Sequence, residues 1–128
     1  MADLTFRAAL LVATGAALGG LARWGVGAFL TRDFPYGTVA VNVAGSFVLA
    51  WALFAGLSRG WLGPDARLFF AIGFLGAFTT MSTFAYETIA MLEAGDRARA
   101  AWNFVANPLM SLGAAWMGRV VALSTGGA

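Results

Sequence analysis

Four long apolar stretches take up most of this chain and limit what it can fold into. They span roughly residues 7–30, 36–57, 68–92 and 98–123. A helix needs about 20 predominantly apolar residues to cross the hydrocarbon core of a membrane, and each stretch is long enough. The connections between them are short and leave no room for a soluble domain. We therefore expect one transmembrane domain over residues 1–128, all α-helical, with four spans per subunit.

The chain is also poor in groups that carry out acid–base or nucleophilic chemistry. It is 60% hydrophobic and 11% charged, and it contains neither Cys nor His. Their absence removes disulfides, thiolate chemistry and the side chain that most often moves protons at neutral pH. Glu87 is the only carboxylate within a predicted span, so no acid–base or nucleophile–base pair can be assembled there. We expect a protein that is not an enzyme.

The eight basic residues are all arginines, and they divide equally between the two sides of the predicted bundle. The arginines on the side of the chain termini and of the connection between the second and third stretches are Arg7, Arg59, Arg67 and Arg119. Those toward the opposite side are Arg23, Arg32, Arg97 and Arg99. An excess of arginine on one side normally fixes orientation, so the equal division predicts insertion both ways and an antiparallel, dual-topology homodimer. Because the arginines are dispersed, we expect no nucleic-acid partner.

Polar side chains recur every four residues in two of the apolar stretches. They are Thr38, Asn42 and Ser46 in the second stretch and Asn103, Asn107 and Ser111 in the fourth. Side chains at this spacing share one face of a helix. In membrane helices such residues either form hydrogen bonds between helices or line a wet path. The pattern alone leaves both alternatives open.

The third stretch contains the least ordinary segment, from Gly73 to Glu87, where glycines, hydroxyls and a carboxylate replace aliphatic residues. Gly73 and Gly76, followed by two threonines, favour a local unwinding between Gly76 and Thr80. Irregular backbone at membrane depth is tolerated only where it is buried in protein or lines a cavity. Backbone carbonyls that lose their helical hydrogen bonds could hold a cation there. The N-terminus of the half-helix that follows could favour an anion.

Two ionisable residues are candidates for being embedded in the membrane: Arg23, late in the first predicted span, and Glu87, beyond the middle of the third. Each costs about 2.5–3.5 kcal/mol at the centre of a membrane helix on insertion scales, which makes both functional candidates. The alternatives are structural. Arg23 is near enough to its helix end to extend its guanidinium to the membrane surface, and Glu87 could serve only in hydrogen-bonded packing.

Taken together, these segments resemble the Fluc (CrcB) family of bacterial fluoride channels. The motifs that carry the resemblance are Gly19-Gly20-Leu-Ala-Arg23, Phe34-Pro-Tyr-Gly-Thr38, Val41-Asn42-Val-Ala-Gly45-Ser46-Phe47, and Gly73-Phe-Leu-Gly76-Ala-Phe-Thr79-Thr80-Met-Ser82-Thr83-Phe84 followed by Glu87. The resemblance implies passive, uncoupled export of cytoplasmic fluoride through two pores of a dual-topology dimer in the bacterial inner membrane. It also implies a break in the third helix and a structural Na⁺ at the dimer centre, bound by backbone carbonyls at positions matching Gly76 and Thr79.

The resemblance further assigns roles to single residues. It implies that Asn42 is a donor in the pore, that the ring of Phe84 lines the pore, and that Ser82 and Thr83 supply hydroxyls beside it. The other predicted pore residues are Thr38, Ser46, Met81, Asn103, Asn107 and Ser111. Arg23 and Glu87 match family positions as possible vestibule or supporting charges.

This sequence departs from the family pattern in two places. Met81 stands where a second pore phenylalanine is usual, so either the aromatic pair is dispensable or fluoride transport is impaired. Asn103 and Asn107 stand at positions that carry Tyr and Ser in some relatives, so amides replace hydroxyls along that helix face.

Two other functions fit a small four-helix dimer. A proton-coupled exporter similar to the small multidrug resistance transporters would need an exchanged-proton site. Those transporters use a carboxylate in the first helix, which is absent here, and Glu87 is the only candidate. A non-transporting assembly protein would use the polar stripes only to hold helices together.

Overall fold

The computed structural model describes residues 5–30 and 32–125. This part of the chain contains five helical segments joined by short connections, and no strand. They are α1, Phe6–Leu30; α2, Tyr36–Arg59; α3, 64–78; α4, Met81–Glu93; and α5, Arg97–Ser124. The all-helical prediction is confirmed for these residues. Residues 1–4, 31 and 126–128 of the predicted domain lie outside the described part.

The winding of α3 changes along its length. Pro64–Ala66 and Gly76–Phe78 are α-helical, whereas Arg67–Leu75 between them winds more widely as a π-helix. The helix begins about one turn before residue 68, where the apolar stretch begins. Pro64 and Asp65 explain the difference, because proline and acidic residues suit the first turn of a helix although they are not apolar.

Three helical stretches are long and apolar enough to cross a membrane: Phe6–Leu30, Tyr36–Arg59, and Pro64–Glu93, which holds α3 and α4. α5 has 28 residues and is long enough, but its asparagines, arginines and Pro108 lower its hydropathy. The multi-pass prediction is thus supported by three stretches among the described residues. The fourth span over residues 98–123 stays a prediction.

Many large apolar side chains lie on the exterior of the subunit, while some polar side chains are buried. The side chains of Phe6 and Phe29 are 81% and 82% exposed, whereas Asn103 is fully buried. The most completely buried apolar residues include alanines such as Ala52 and Ala55. In lipid no hydrophobic force drives large side chains inward, and small residues let helices approach closely. We interpret this exterior as a surface for lipid or for a second copy.

The helices pack mainly as two pairs, α1 with α3 and α2 with α5. Glycine lies where the backbones come closest. A Cβ atom on Gly19 of α1 would overlap the backbone carbonyl of Phe74 in α3, and one on Gly118 of α5 would overlap that of Phe47 in α2. These contacts hold each pair through van der Waals packing of backbone on backbone.

Two threonines separate α3 from α4. Thr79 has φ −85° and ψ 156°, and Thr80 has φ −152° and ψ 117°, so both residues are extended. Thr80 is the N-cap of α4, and its Oγ1 accepts a hydrogen bond from the N–H of Thr83 at 3.1 Å. This capping satisfies one of the amides that the start of a helix leaves without a backbone partner.

The close approach of α1 and α3 can be tested with adjacent glycines. We expect Gly19→Ala to lower the melting temperature of the purified protein in detergent, followed by circular dichroism. The added methyl group would meet backbone atoms of Phe74 that cannot move aside, and overpacking typically costs about 1–3 kcal/mol. Gly20→Ala is the matched control, since a Cβ there meets no atom within 4 Å. Equal melting temperatures for the two variants would contradict this account of the packing.

Candidate functional site

The amide of Asn42 joins α2 to the Thr79–Thr80 segment. Its Oδ1 accepts a hydrogen bond from the N–H of Thr80 at 2.8 Å, and its Nδ2 donates to the carbonyl of the same residue at 3.1 Å. Nδ2 also donates to Oδ1 of Asn107 on α5 at 3.2 Å. One side chain therefore connects three parts of the bundle and satisfies both backbone groups of an extended residue at membrane depth.

Hydroxyl groups cluster at the N-terminus of α4. Oγ1 of Thr80 donates to Oγ1 of Thr83 at 3.0 Å, and it lies 3.3 Å from Oγ of Ser82. The N-terminus of a helix carries partial positive charge, because its first amides point outward without helical partners. Ser82 and Thr83, which the resemblance implies supply hydroxyls beside the pore, both belong to this cluster, and Ser82 is exposed.

A cavity of about 240 Å³ is lined by Asn42 and Thr80, and we call it the Asn42 cavity. Six of the predicted pore residues line it: Asn42, Ser46, Met81, Phe84, Asn107 and Ser111. Its other lining residues are Leu49, Thr79, Thr80 and Pro108. None of these described lining residues is charged, so polar groups and one aromatic ring define the chemistry of the cavity.

Two buried hydrogen-bond donors on α5 have no partner among the described residues. They are Nδ2 of Asn107 and Oγ of Ser111. The two residues are four apart, so they share a helix face, and both line the Asn42 cavity. A buried donor without a partner is costly. These atoms are therefore the ones that a bound ion or water would satisfy.

A second cavity, of about 420 Å³, lies between α1, α2 and α4, and we call it the Arg23 cavity. Arg23, Thr38, Thr80, Thr83 and Glu87 provide its polar lining. Oγ1 of Thr38 donates to Oε1 of Glu87 at 2.7 Å, while Oε2 of the same carboxylate is buried without a partner among the described residues. The two charged residues predicted as functional candidates thus share one cavity, apart from most of the predicted pore residues.

Asn103 lies elsewhere, fully buried between α4 and α5. Its Nδ2 donates to Oγ1 of Thr88 at 3.0 Å, and that hydroxyl donates to the carbonyl of Phe84 at 2.8 Å. Asn103 lines neither the Asn42 cavity nor the Arg23 cavity. The structural alternative, in which a polar residue joins two helices, describes this asparagine.

Sequence reasoning missed the roles of Thr80 and Thr88. A signal for Thr80 was available in the sequence, because threonine is a favoured N-cap residue. In the structure its hydroxyl accepts a hydrogen bond from the N–H of Thr83, three residues later. Thr88 carries no comparable signal. A threonine surrounded by apolar residues in a helix most often bonds back to a carbonyl of its own helix, and nothing local indicates that Asn103 will meet it.

Two carbonyls near the Thr79–Thr80 segment lose their usual helical partners. In a continuous helix the carbonyl of Gly76 would accept from the N–H of Thr80, which instead donates to Asn42. The carbonyl of Thr79 would likewise accept from the N–H of Thr83, which instead donates to the Thr80 hydroxyl. These are the two carbonyls that the family resemblance assigns to Na⁺. Oxygen donors of this type suit a hard cation.

Comparison with known proteins identifies the family. The family described as "CrcB-like protein, Camphor Resistance (CrcB)" matches residues 10–119. The chain belongs to the CrcB family. Relatives in this family named "Fluoride-specific ion channel FluC" include one from Anaeromyxobacter dehalogenans, 48% identical over 111 residues, which are 84% of this chain and 88% of the relative. One from Thermosipho melanesiensis is 43% identical over 117 residues, 88% of this chain and 93% of the relative.

A further CrcB relative, from Methylococcus capsulatus, carries the same name and is longer. It is 41% identical over 115 residues, which are 87% of this chain but 50% of the relative. The chain therefore spans about half of that relative and nearly all of the other two. CrcB membership and the three helical stretches long enough to span a membrane make the chain a multi-pass bacterial membrane protein.

The N-cap at Thr80 gives a direct test of how α4 begins. We expect Thr80→Val to lower the free energy of unfolding in detergent by about 0.5–2 kcal/mol, the usual cost of losing a capping hydroxyl. Valine keeps the size of threonine and the backbone contact with Asn42. Thr80→Ser is the control, since it retains the hydroxyl and should melt close to wild type in the same circular dichroism measurement. A valine variant as stable as the serine variant would show that the hydroxyl contributes nothing.

Proposed function

We propose that this chain is a fluoride-selective ion channel and not an enzyme, and that it lets fluoride leave the cytoplasm passively and without coupling to another ion. The carrying observation is the CrcB family match, with relatives named fluoride-specific ion channels that align with most of this chain. The Asn42 cavity supports the same function, because residues of the family motifs supply one of its two amides, three of its four hydroxyls and its aromatic ring.

The chemistry of the Asn42 cavity suits fluoride. Fluoride is small and strongly hydrated, so a pore must replace lost water with several compact donors. Amide and hydroxyl groups do this without the strong attraction of a fixed positive charge, and conduction requires binding weak enough for the ion to leave. Phe84 can contribute through the positive edge of its ring. Arg23 lines the other cavity, where it could attract anions without trapping them in the path.

The assembly that we propose is an antiparallel, dual-topology homodimer with two pores. The equal division of arginines supports it, because neither orientation is favoured. Met81 supports it as well, since its side chain lines the Asn42 cavity and is 71% exposed in a single subunit. A second copy that covers this residue would close the path against lipid. The inner membrane is the expected location.

We also propose that Na⁺ has a structural role at the dimer centre. The Thr79–Thr80 segment between α3 and α4 would be the break in the third membrane span that provides its site. The carbonyls of Gly76 and Thr79 would hold the ion, because the amides that would otherwise bond to them donate to side chains. When bound, Na⁺ would supply a positive charge that attracts the partly negative oxygens of these carbonyls. The chain's own contribution is to keep those carbonyls free and in place.

Fluoride efflux from liposomes tests the channel. With purified wild-type protein and valinomycin to set the potential, we expect rapid efflux at a fluoride electrode and no requirement for a proton gradient. Asn42→Asp should slow it about a hundredfold or more, because like-charge contacts cost several kcal/mol and each 1.4 kcal/mol is about tenfold.

Protein-free liposomes and chloride-loaded liposomes are the controls for this measurement. Efflux that depends on a proton gradient would contradict the channel and favour the exporter. No efflux from protein shown by cross-linking to be dimeric would favour the assembly protein.

Sodium binding predicts a stability that depends on the cation. We expect the dimer in detergent to melt at a higher temperature in NaCl than in choline chloride of equal ionic strength. A ligand that binds only the folded state stabilises it by RT ln(1 + [L]/Kd), about 2.7 kcal/mol at one hundred times Kd. KCl serves as the control for a general salt effect. Identical melting in all three salts would rule out the sodium site and leave the channel proposal intact.

A further inference from the structure

The guanidinium of Arg119 lies against two exposed aromatic rings. Its carbon Cζ is 5.1 Å from the centre of the Trp116 ring on the same helix, α5, and 5.5 Å from the centre of the Phe54 ring on α2. Both distances are short enough for a cation–π interaction. Trp116 is 62% exposed and Phe54 is 42% exposed, so this cation is held at the outer surface of the subunit. We call these three residues the Arg119 site.

No carboxylate forms a salt bridge with Arg119 within the part of the chain that the structure describes. The two salt bridges found there involve other arginines, Arg7 and Arg99. Aromatic rings attract the positive charge but offer no oxygen to the five N–H groups of a guanidinium. The rings therefore position the cation and leave its donors available to an acceptor from outside the subunit.

The Arg119 site lies near the ends of two helices, at the depth of a lipid headgroup. Arg119 is five residues before the end of α5 at Ser124, which is about 7.5 Å along the helix axis at 1.5 Å per residue. An arginine side chain can reach the membrane surface from that depth, and tryptophan is typical of membrane–water interfaces. A second arginine, Arg59 at the end of α2, donates through Nη2 to the carbonyl of Ala122 at 3.2 Å, one turn beyond Arg119. Two positive charges therefore lie at this end of the α2–α5 pair.

An apolar helix face leads from the Arg119 site toward the middle of the membrane. Leu109, Leu112 and Trp116 are each more than 60% exposed. Their spacing of three and four residues places them on one face of α5. Such a face suits the acyl chains of a lipid, whereas a small free anion would gain nothing from it. The charge and the apolar face together fit a phospholipid.

We propose that the Arg119 site binds the phosphate of an anionic phospholipid, and that the bound headgroup joins α2 to α5. A guanidinium suits phosphate because its planar N–H groups can donate to two oxygens at once. Basic sites between membrane helices are a known way of binding anionic headgroups. In the antiparallel homodimer proposed above, the two copies of the site would lie in opposite leaflets, so each leaflet would supply one lipid.

This inference is independent of the proposed channel function. None of the three residues of the Arg119 site lines the Asn42 cavity or the Arg23 cavity. The lipid is therefore expected to bind whether or not fluoride passes through the protein, and its binding is measured without a transport assay.

Native mass spectrometry of the purified protein in detergent tests the site. The protein is titrated with phosphatidylglycerol, and separately with phosphatidylcholine that has the same acyl chains. We expect one phosphatidylglycerol per subunit, bound about tenfold or more tightly than phosphatidylcholine, because a guanidinium gains from the net negative charge of the headgroup. Arg119→Gln should weaken the binding of phosphatidylglycerol about tenfold or more, since hydrogen bonds to a charged group are lost.

Arg67→Gln is the matched control for Arg119→Gln. Arg67 lies in the first turn of α3, at the same end of the bundle, and is exposed. The described cation–π contacts do not include it. The control removes the same charge from the same membrane surface without touching the Arg119 site. Its affinity for phosphatidylglycerol should stay within about threefold of wild type, because an exposed charge contributes little through screened, long-range attraction.

Two further variants test whether the geometry of the Arg119 site matters. Arg119→Lys keeps the positive charge but loses the planar group that donates to two phosphate oxygens. Trp116→Leu removes one of the two rings and keeps an apolar side chain. Both should weaken the binding of phosphatidylglycerol several-fold, whereas a general attraction of anionic lipid to arginines would leave both at wild-type affinity. Neither change removes a described hydrogen bond, so this pair keeps the test valid if Arg119→Gln does not fold, which circular dichroism would reveal.

Each outcome decides the inference. Equal binding of the two lipids by wild type, or equal binding of phosphatidylglycerol by wild type and Arg119→Gln, would overturn it. Glycerol 3-phosphate that binds as tightly as phosphatidylglycerol would indicate a site for free phosphate esters and would also overturn it. Weakened lipid binding in the Arg119 and Trp116 variants, with wild-type binding in Arg67→Gln, would establish it. The channel proposal is decided separately by fluoride efflux from wild-type protein.

Discussion

The pairing of the Asn42 amide with the backbone of Thr80 is the interaction on which the rest of the site depends. An extended residue at membrane depth exposes an N–H and a carbonyl that lipid cannot satisfy. Asn42 satisfies both from a neighbouring helix. The Thr80 backbone can therefore leave the helical pattern, and its hydroxyl is then free to cap α4. A single polar side chain thus makes an irregular segment affordable inside a membrane protein.

The same interaction has effects on both sides of Thr80. Because the N–H of Thr80 donates to Asn42, the carbonyl of Gly76 is relieved of its helical partner. Because Nδ2 of Asn42 donates to Oδ1 of Asn107, Nδ2 of Asn107 is left without a partner among the described residues. A backbone carbonyl is thereby left without its helical hydrogen bond near the end of α3. On α5, Asn107 keeps an unused donor and lines the Asn42 cavity. Acceptors for a cation and donors for an anion thus arise from one local arrangement.

Polar contacts also connect the two helix pairs that backbone packing creates. Glycines bring α1 against α3 and α2 against α5. Thr38 then joins α2 to α4 through Glu87, and Asn103 joins α5 to α4 through Thr88. In lipid such hydrogen bonds add to van der Waals packing. The asparagines at positions 103 and 107 consequently differ in role, since the first joins helices and the second keeps a free donor.

The sequence by itself determined the helical stretches, the family and which residues share a helix face. Apolar length predicts the stretches because hydrocarbon requires it, and four-residue spacing predicts shared faces because of helix geometry. Spacing does not identify the neighbouring element. A stripe from Thr38 to Ser46 is about 12 Å long at 1.5 Å per residue, and the tertiary structure places its ends in different cavities. Only tertiary contacts could pair Thr88 with Asn103, or leave Nδ2 of Asn107 buried without a partner among the described residues. Those choices depend on which donors and acceptors of other helices come within about 3 Å, and a linear pattern does not contain that information.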